Sequence, residues 1–294
     1  MTGESTLLAG RGAVVVGGSR GIGRSVAELL AALGAGVVVN GRDDVAVLET
    51  VDAITSGGGQ AIGFAGSPTE ASAAEALVAS CEREFGAIDI LINCAGIAEP
   101  PQSSILNIDP DDFDNLLRTH VGTAFHTCRA AAPRMVARGK GAIVNTSSFA
   151  FLGDYGGTGY PAGKGAVNGL TLAIAAELKG YGVRANVVCP GAKTRLSTGS
   201  DYEEQIADLH RRGLLDDVTM QASLDAAPPE YVAPTYAYLV SDLAEAVTGE
   251  IFVASGGFVG RFDRQSPSFL AYRDHHDSPA WSVTELHEVL TKKR

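Results

Sequence analysis

Tyr160 and Lys164 stand four residues apart in "YPAGK", within a stretch rich in Gly, Ala and small polar residues. On a helix this spacing puts a phenol and an ammonium on one face, where both can reach the same small volume. A free phenol, with a pKa of about 10, is a poor proton carrier at neutral pH, and an adjacent ammonium favours the phenolate. The pair therefore suits proton transfer to or from a reacting oxygen. Upstream, "VNTSS" ends a β run, and a hydroxyl of Ser147 or Ser148 can hold a substrate oxygen beside the phenol. Tyr and Lys at this spacing also occur by chance on helix surfaces, so the serines carry much of the argument.

A second constellation is "VVVGGSRGIG", in which Gly17, Gly18, Gly21 and Gly23 lie between a β run and a helix. Glycines there let the chain turn tightly and bring backbone N–H groups to a pyrophosphate at the helix N-terminus. The alternative is an ordinary glycine-rich turn. The next β run ends "VVVNGRDD". An acidic residue at such a strand end binds the adenosine ribose, whereas an Arg accommodates a 2′-phosphate. Here Asn40 and Gly41 precede Arg42, and Arg20 lies in the glycine loop, so two guanidiniums can bracket one phosphate. This favours NADP(H) over NAD(H). If the two arginines are only solvated, Asp43 can reach the ribose instead.

These groups need a scaffold, and the chain alternates short β-branched runs with longer segments of helical period, as βαβ units do. Seven strand candidates are "AVVVGG", "GVVVNG", "AIGFAG", "IDILINCAG", "GAIVNTSS", "VRANVVCPG" and "GEIFVASGG". Between the first two, Val26, Leu29, Leu30 and Leu33 fall at helical spacing and Gly34 ends the helix. "PDDFDNLLRTHVGTAFHTCRAAAPRMVARG" reads as one long helix opened by acidic residues and closed near Gly139. The expected fold class is α/β, a doubly wound, seven-stranded parallel sheet in a single domain over 1–260. Residues 197–229 interrupt the alternation and are expected to form a substrate loop, with Ile206, Leu209, Gly213 and Leu214 on one side. Residues 261–294 form an extension with the only tryptophan, Trp281, and the amphipathic "SVTELHEVL", expected to dock on a surface.

At 294 residues and 45% hydrophobic, the chain can bury a core large enough for an enzyme. A net charge of −11 argues against unspecific binding to nucleic acid or an anionic membrane. Cys81, Cys94, Cys128 and Cys189 are scattered singly, unlike a metal site or a secreted disulfide framework. Met1 to Gly10 shows no basic-then-apolar leader and no apolar run is long enough to span a bilayer. A cytoplasmic, soluble protein without a metal is expected.

The glycine loop "GGSRGIG", the block "NCAG" at Asn93 to Gly96, the Ser plus Tyr-x-x-x-Lys set and "CPG" at Cys189 to Gly191, in this order, resemble the short-chain dehydrogenase/reductase family over nearly all of 11–260. The resemblance implies a Rossmann sheet and direct hydride transfer between a nicotinamide cofactor and a secondary alcohol or ketone. Tyr160 would be the general acid/base, and Lys164 would hold the nicotinamide ribose and tune the tyrosine. Ser148, the second serine of its pair, matches the family's catalytic serine, although the segment to Tyr160 is one residue shorter than usual and Ser147 remains the alternative. The cofactor would lie on Gly17, Ser19, Arg20, Gly21, Ile22 and Gly23, with Arg42 at the adenosine. Asn93, Ala95 and Gly96 and, from the later strand, Pro190, Gly191 and Thr194 would complete its site. A homodimer or homotetramer is also implied.

The chain departs from the family pattern at Val16, at Cys94, at "FAGS" (Phe64 to Ser67), which lacks the usual aspartate near the adenine, and at His120, where many members carry a water-holding asparagine. "RTHVGTAF", "PGAKTRL", "PEYVAPTYAYL" and "GEIFVASGGFVGRF" are similar to the (3R)-hydroxyacyl-CoA dehydrogenase part of multifunctional enzymes. That points to a 3-hydroxyacyl or 3-oxoacyl thioester, with Arg211 and Arg212 placed to meet CoA phosphates. Those enzymes usually carry an aspartate suited to NAD where this chain has Arg42. A sterol-like or other hydrophobic alcohol is the alternative substrate. A nucleotide sensor or scaffold is the non-enzymatic alternative, against which the intact Ser148, Tyr160 and Lys164 argue.

Overall fold

The computed structural model describes residues 6–155, 157–195, 197–264 and 266–291. The first half alternates β1 (Gly12–Val16), α1 (Gly21–Ala32), β2 (Gly36–Gly41), α2 (Asp44–Ser56), β3 (Gln60–Ala65), α3 (Ala71–Phe85) and β4 (Ile90–Asn93). Then come α4 (Pro110–Leu117), α5 (Thr123–Arg138), β5 (Gly141–Thr146), α6 (Gly159–Leu178) and β6 (Val183–Gly191). The last part of this unit holds α7 (Ser200–Arg211), α8 (Asp217–Leu224), α9 (Ala233–Val240), β7 (Ile251–Ser255) and β8 (Phe258–Arg261).

The strands form one sheet in the order β3-β2-β1-β4-β5-β6-β7-β8. Alternate residues of each strand face opposite layers. Val15, Val39, Ile92 and Val144 pack with Val26 and Leu30 of α1 and Tyr236 and Leu239 of α9. Val14, Val38, Leu91 and Ile143 pack with Leu77 of α3, Met135 of α5 and Ala175 of α6. A parallel sheet covered on both faces needs such unbroken apolar strands, which explains why they read as continuous β-branched runs. All seven expected strands are present and parallel.

An eighth strand corrects the expected count: β8 pairs antiparallel with β7, Ser255 opposite Phe258. The two residues between them, Gly256 (φ 54°) and Gly257, make the tight turn that a two-residue hairpin demands. The signal was present in "ASGGFVG", where a Gly-Gly pair separates two apolar runs.

The expected long helix is interrupted by one π turn, Arg118–Gly122, between α4 and α5. It ends at Gly139, φ 65°, as its sequence indicates. Between 197 and 229 the chain forms α7 and α8, and Ile206, Leu209 and Leu215 are buried with Tyr155, Tyr202 and Met220. Leu214, expected on the same side to face a substrate, is 41% exposed and lines a cavity together with Ile206 and Gly213. Gly213 at φ 72° ends the helical phase, so the next residue, Leu215, turns inward instead.

Contacts divide the chain into Met1–Phe262 and Asp263–Arg294. Within the second unit, Arg273 stacks 3.8 Å from the Trp281 ring centre and donates to both carboxylate oxygens of Glu285 (2.7 and 3.2 Å). Ser282 and Glu285 form a reciprocal capping box at the start of α10 (Val283–Thr291). No described helix is long and apolar enough to cross a membrane. All four cysteines are free, and burial pushes Cys81 and Cys128 up to about 12, so they stay protonated in the core.

Candidate active site

The strand order reverses between β1 and β4, where an α/β sheet opens a crevice at its carboxyl edge. A cavity of about 1850 Å³ lies there. It is lined by Gly17, Ser19, Arg20, Gly21, Ile22 and Gly23 from the first loop, by Ala95 and Gly96, and by Pro190, Gly191 and Thr194. Arg42, Ser148, Tyr160 and Lys164 line it as well.

The glycine loop fits a dinucleotide pyrophosphate, because the chain approaches itself more closely than any side chain allows. A Cβ on Gly17 would lie 2.7 Å from Ala95 N, and one on Gly23 would lie 2.1 Å from Gly17 O. Gly21, by contrast, faces Thr194, whose Cγ2 would lie 3.5 Å from an added Cβ. The loop and the β6 end thus face each other across a narrow channel at the N-terminus of α1, where an anion is favoured.

Asn93 is the exception among the expected residues. Its side chain turns into the core, donating to Asn145 Oδ1 (2.8 Å) and accepting from Thr127 Oγ1 (2.9 Å), and it does not line the cavity. Asn145 in turn donates to Thr171 Oγ1 (2.9 Å). Buried amides must be paired, and this chain of side chains ties β4 and β5 to α5 and α6, so Asn93 sets the strand end without facing the crevice.

At the adenosine end, Arg20 does not join Arg42 around one point. Its guanidinium pairs with Asp43 at 2.5 Å, which holds the Asp43 carboxyl below its usual range. Asp43 also accepts from Ala46 N and so caps α2. Arg42 is exposed, lines the cavity and enters no ion pair among the described residues.

At the other end, β5 delivers three consecutive residues with different tasks. Thr146 O accepts from Lys164 Nζ at 3.0 Å. Ser147 is 2% exposed and donates to Lys164 O at 3.1 Å, so its hydroxyl is committed to the helix backbone. Ser148 is half-buried, and its hydroxyl lies near enough to Tyr160 to oppose in part the rise that burial imposes on the phenol pKa. Of the two serines left open by the sequence, only Ser148 meets the phenol.

The expected effect of Lys164 on Tyr160 is not what this geometry gives. Nζ lies 5.5 Å from the centre of the Tyr160 ring and is tied to Thr146 O. Burial of the hydroxyl dominates and raises the Tyr160 pKa, with the Ser148 hydrogen bond opposing it. An ordinary phenol is already protonated at neutral pH, and burial favours that form further. Burial also brings Lys164, 4% exposed, down to about 8.

His120, in the π turn, packs edge-on to Tyr160 with ring centres 5.1 Å apart. It is wedged between two glycines. An added Cβ on Gly96 would lie 2.9 Å from its Cε1, and one on Gly163 would lie 3.3 Å from its Cβ. Nε2 lies 3.1 Å from Ile97 O, and Nδ1 is buried without a protein partner. Burial, then the nearby Lys164 charge, pushes its pKa down to about 3. The ring is neutral, with the Nε2 proton on Ile97 O.

Arg211 and Arg212, expected at CoA phosphates, lie on the exposed side of α7, both paired with Asp208, and outside the cavity lining. Arg195, which the sequence reading passed over, lines the cavity and enters no ion pair among the described residues. Leu152, Leu214, Val218 and Phe258 line its apolar part. The cavity brings together no group of three metal-ligating side chains among the described residues; one such group, Asp274, His275 and His276, lies in the second unit.

The family model for short chain dehydrogenases matches residues 11–204. The chain belongs to the short-chain dehydrogenase family. Similar curated proteins include the short-chain reductase NovJ of Streptomyces niveus, 34% identical over 83% of this chain and 92% of that protein. A 3alpha-hydroxysteroid dehydrogenase of Mediterraneibacter gnavus is 33% identical over 85% of this chain and 97% of its own length. The hydroxyacyl-CoA dehydrogenase ChsB1 of Mycobacterium tuberculosis is 33% identical over 98% of this chain and 90% of its own. The crystal structure of a short chain dehydrogenase from Mycobacterium avium aligns with a TM-score of 0.79 at 32% identity, covering 97% of this chain and 94% of that one. This short-chain dehydrogenase is an oxidoreductase acting on CH–OH groups, and the family uses NAD(P)(H).

The buried imidazole gives a pH signature. His120 titrates at about 3 in the folded chain against 6.5 when unfolded, so between these values the unfolded state binds the extra proton. Stability contributed by this group is therefore intact above pH 6.5 and is lost as pH falls toward 3. In melting curves at pH 7.5 and 4.5, His120→Asn protein should lose less Tm on acidification than the wild type.

Proposed function

We propose that this enzyme interconverts a secondary alcohol and a ketone on a 3-hydroxyacyl or 3-oxoacyl thioester, with NADP(H) as the preferred cofactor. The observation that carries the reaction is the meeting of Ser148, Tyr160 and a buried Lys164 at one end of a cleft whose other end is a glycine cradle. When bound, the nicotinamide supplies or accepts the hydride. Ser148 holds the substrate oxygen next to the phenol. In reduction, Tyr160 donates its proton to that oxygen and is left as a phenolate; oxidation is the same step reversed, the phenolate taking the proton of the alcohol. Lys164 has two further N–H groups beyond the one given to Thr146 O, and these hold the ribose hydroxyls.

Support for a thioester comes from the likeness to ChsB1 and from a cavity that joins an apolar wall to Arg195, which enters no ion pair among the described residues. Arg195 takes the anion-binding part first given to Arg211 and Arg212. The apolar wall and the hydroxysteroid dehydrogenase relative support a second reading, a sterol-like alcohol. NADP(H) is supported by Arg42 and by the commitment of Asp43 to Arg20 and to the cap of α2.

Tyr160→Phe should lower turnover by about 10²- to 10⁴-fold, the usual worth of general acid/base catalysis. Bound-cofactor fluorescence should show NADPH binding retained; near-normal kcat would end this mechanism.

The preference for NADPH over NADH should be about tenfold or more, since a charge-assisted bond is worth about 1.5–3 kcal/mol. Arg42→Asp should reverse it in the same titration. Tighter NADH binding by the wild type would mean that Asp43 holds the ribose.

A 3-oxoacyl-CoA should be reduced with a kcat/KM at least about tenfold above that of its small ester analogue, one charge-assisted contact accounting for that much. Arg195→Ala should remove most of the difference. Equal values for both substrates would favour the sterol-like reading.

A further inference from the structure

Tyr160 lies in the first turn of α6, the least secure part of any helix, where four backbone N–H groups lack helical partners. This turn is poorly suited to stand alone. Gly157, Gly159 and Gly163 surround the tyrosine, and glycine costs a helix about 1 kcal/mol relative to alanine. The residue in the N-cap position, Thr158, makes no side-chain capping bond.

The cap comes instead from a distant carboxylate. Glu99, in the segment after β4, accepts from Thr158 N (3.0 Å) and Gly159 N (3.2 Å) with Oε1, and from Tyr160 N (2.5 Å) with Oε2. Ser103 Oγ donates to Oε1 at 2.6 Å and fixes the carboxylate from behind. Gly157, at φ 76°, makes room for it, since an added Cβ would lie 2.9 Å from Glu99 Cδ. These hydrogen bonds hold the Glu99 pKa below the ordinary carboxyl range although desolvation by burial opposes them, so the group is ionised. Two residues before Glu99, Ile97 O receives the His120 ring that packs on Tyr160.

We propose that Glu99 is a positioning residue for the reaction. By capping α6 from the segment after β4, its carboxylate fixes the Tyr160 backbone, and with it the phenol, relative to Ser148 and the cofactor crevice. This rests on the acid/base reading of Tyr160 given above. Misplacement of a reacting group by about 1 Å can cost on the order of 100-fold in rate, whereas cofactor binding, carried mainly by other elements, tolerates it. The role therefore separates catalysis from binding.

The test uses the full chain, with NADPH fluorescence counting competent sites, so that kcat is expressed per cofactor-binding site. Glu99→Gln offers a carbonyl to one side of the turn and an NH₂ to the other, and cannot accept from both. It should lower kcat per site at least about tenfold while the NADPH Kd stays within about twofold. Glu99→Asp, which restores the charge on a shorter arm, should recover part of the loss. Gly157→Ala, which leaves Glu99 in the chain but crowds its carboxylate, should reproduce the loss. Unchanged kcat per site in Glu99→Gln overturns the proposal, as does a fall in kcat matched by an equal loss of NADPH affinity. Tyr160→Phe is measured beside them: if it turns over normally, both readings fail. If it is inactive while Glu99→Gln is normal, only the role of Glu99 is lost.

Discussion

A buried ammonium is among the most demanding groups a fold can carry, and Lys164 imposes its needs on everything around it. Its one protein acceptor among the described residues is the backbone oxygen of Thr146, so the last residue of β5 must stop at the right height for α6 to pass over it. Ser147 secures that approach by bonding the carbonyl of Lys164 itself, a strand-to-helix tie on the same residue. The surroundings must avoid adding positive charge, and among the described residues they supply no negative charge either. Cys94 and Cys189 are held as neutral thiols, each pushed up to about 11, and His120 as a neutral ring. A second cation beside Lys164 would repel it in a place where water cannot screen the two.

The geometry of the crevice is set as much by missing side chains as by present ones. His120 reaches the Tyr160 ring because Gly96 and Gly163 leave space on either side of it, and the π turn at Arg118–Gly122 swings it into that space. Such widened turns inside helices recur at functional positions because one extra residue redirects a side chain without ending the helix. The same device governs the pyrophosphate cradle, where Gly23 lies against Gly17 O and Gly17 against Ala95. Any larger residue at these points would move backbone and not merely another side chain.

Much of this was legible in the sequence, and the reasons for what was missed are specific. The central strands of a doubly covered parallel sheet are apolar throughout, so β1, β2, β4 and β5 announced themselves as buried runs, while the edge strand β3, QAIGFA, was marked more by its place in the alternation. The glycine cradle and the Tyr–Lys spacing are local patterns that survive without knowledge of the fold. The choice between Ser147 and Ser148 was not local, because it depends on which serine faces the α6 backbone. Asn93 misled for the same reason, since its partners Thr127 and Asn145 lie on other elements. Glu99 carried no recognisable spacing to Tyr160 at all. Leu214 lines the cavity as its side was expected to, whereas the buried Leu215 was passed over because Gly213 breaks the period that the sequence reading carried through it.

The adenosine end shows how a fold can restrict the ways in which a cofactor is chosen. Asn40 occupies the strand-end position where an acidic residue would meet a ribose, yet it is 1% exposed and its amide donates to Phe64 O (2.9 Å) and Gly66 O (3.0 Å). Those two bonds hold the end of β3 and the residue that follows it against β2. An ionised aspartate in its place would have no hydrogen to donate and would confront two carbonyl oxygens in a buried site, losing both bonds and adding repulsion. Discrimination at this position by a carboxylate on residue 40 is therefore closed to this chain. On the NADP(H) reading proposed above, the task falls to Arg42, Asp43 and Arg20, which are more exposed. Because Asp43 also caps α2, a change in its pairing with Arg20 acts on the helix start as well as on the ligand. On the same reading, cofactor choice is coupled to a local element of the fold.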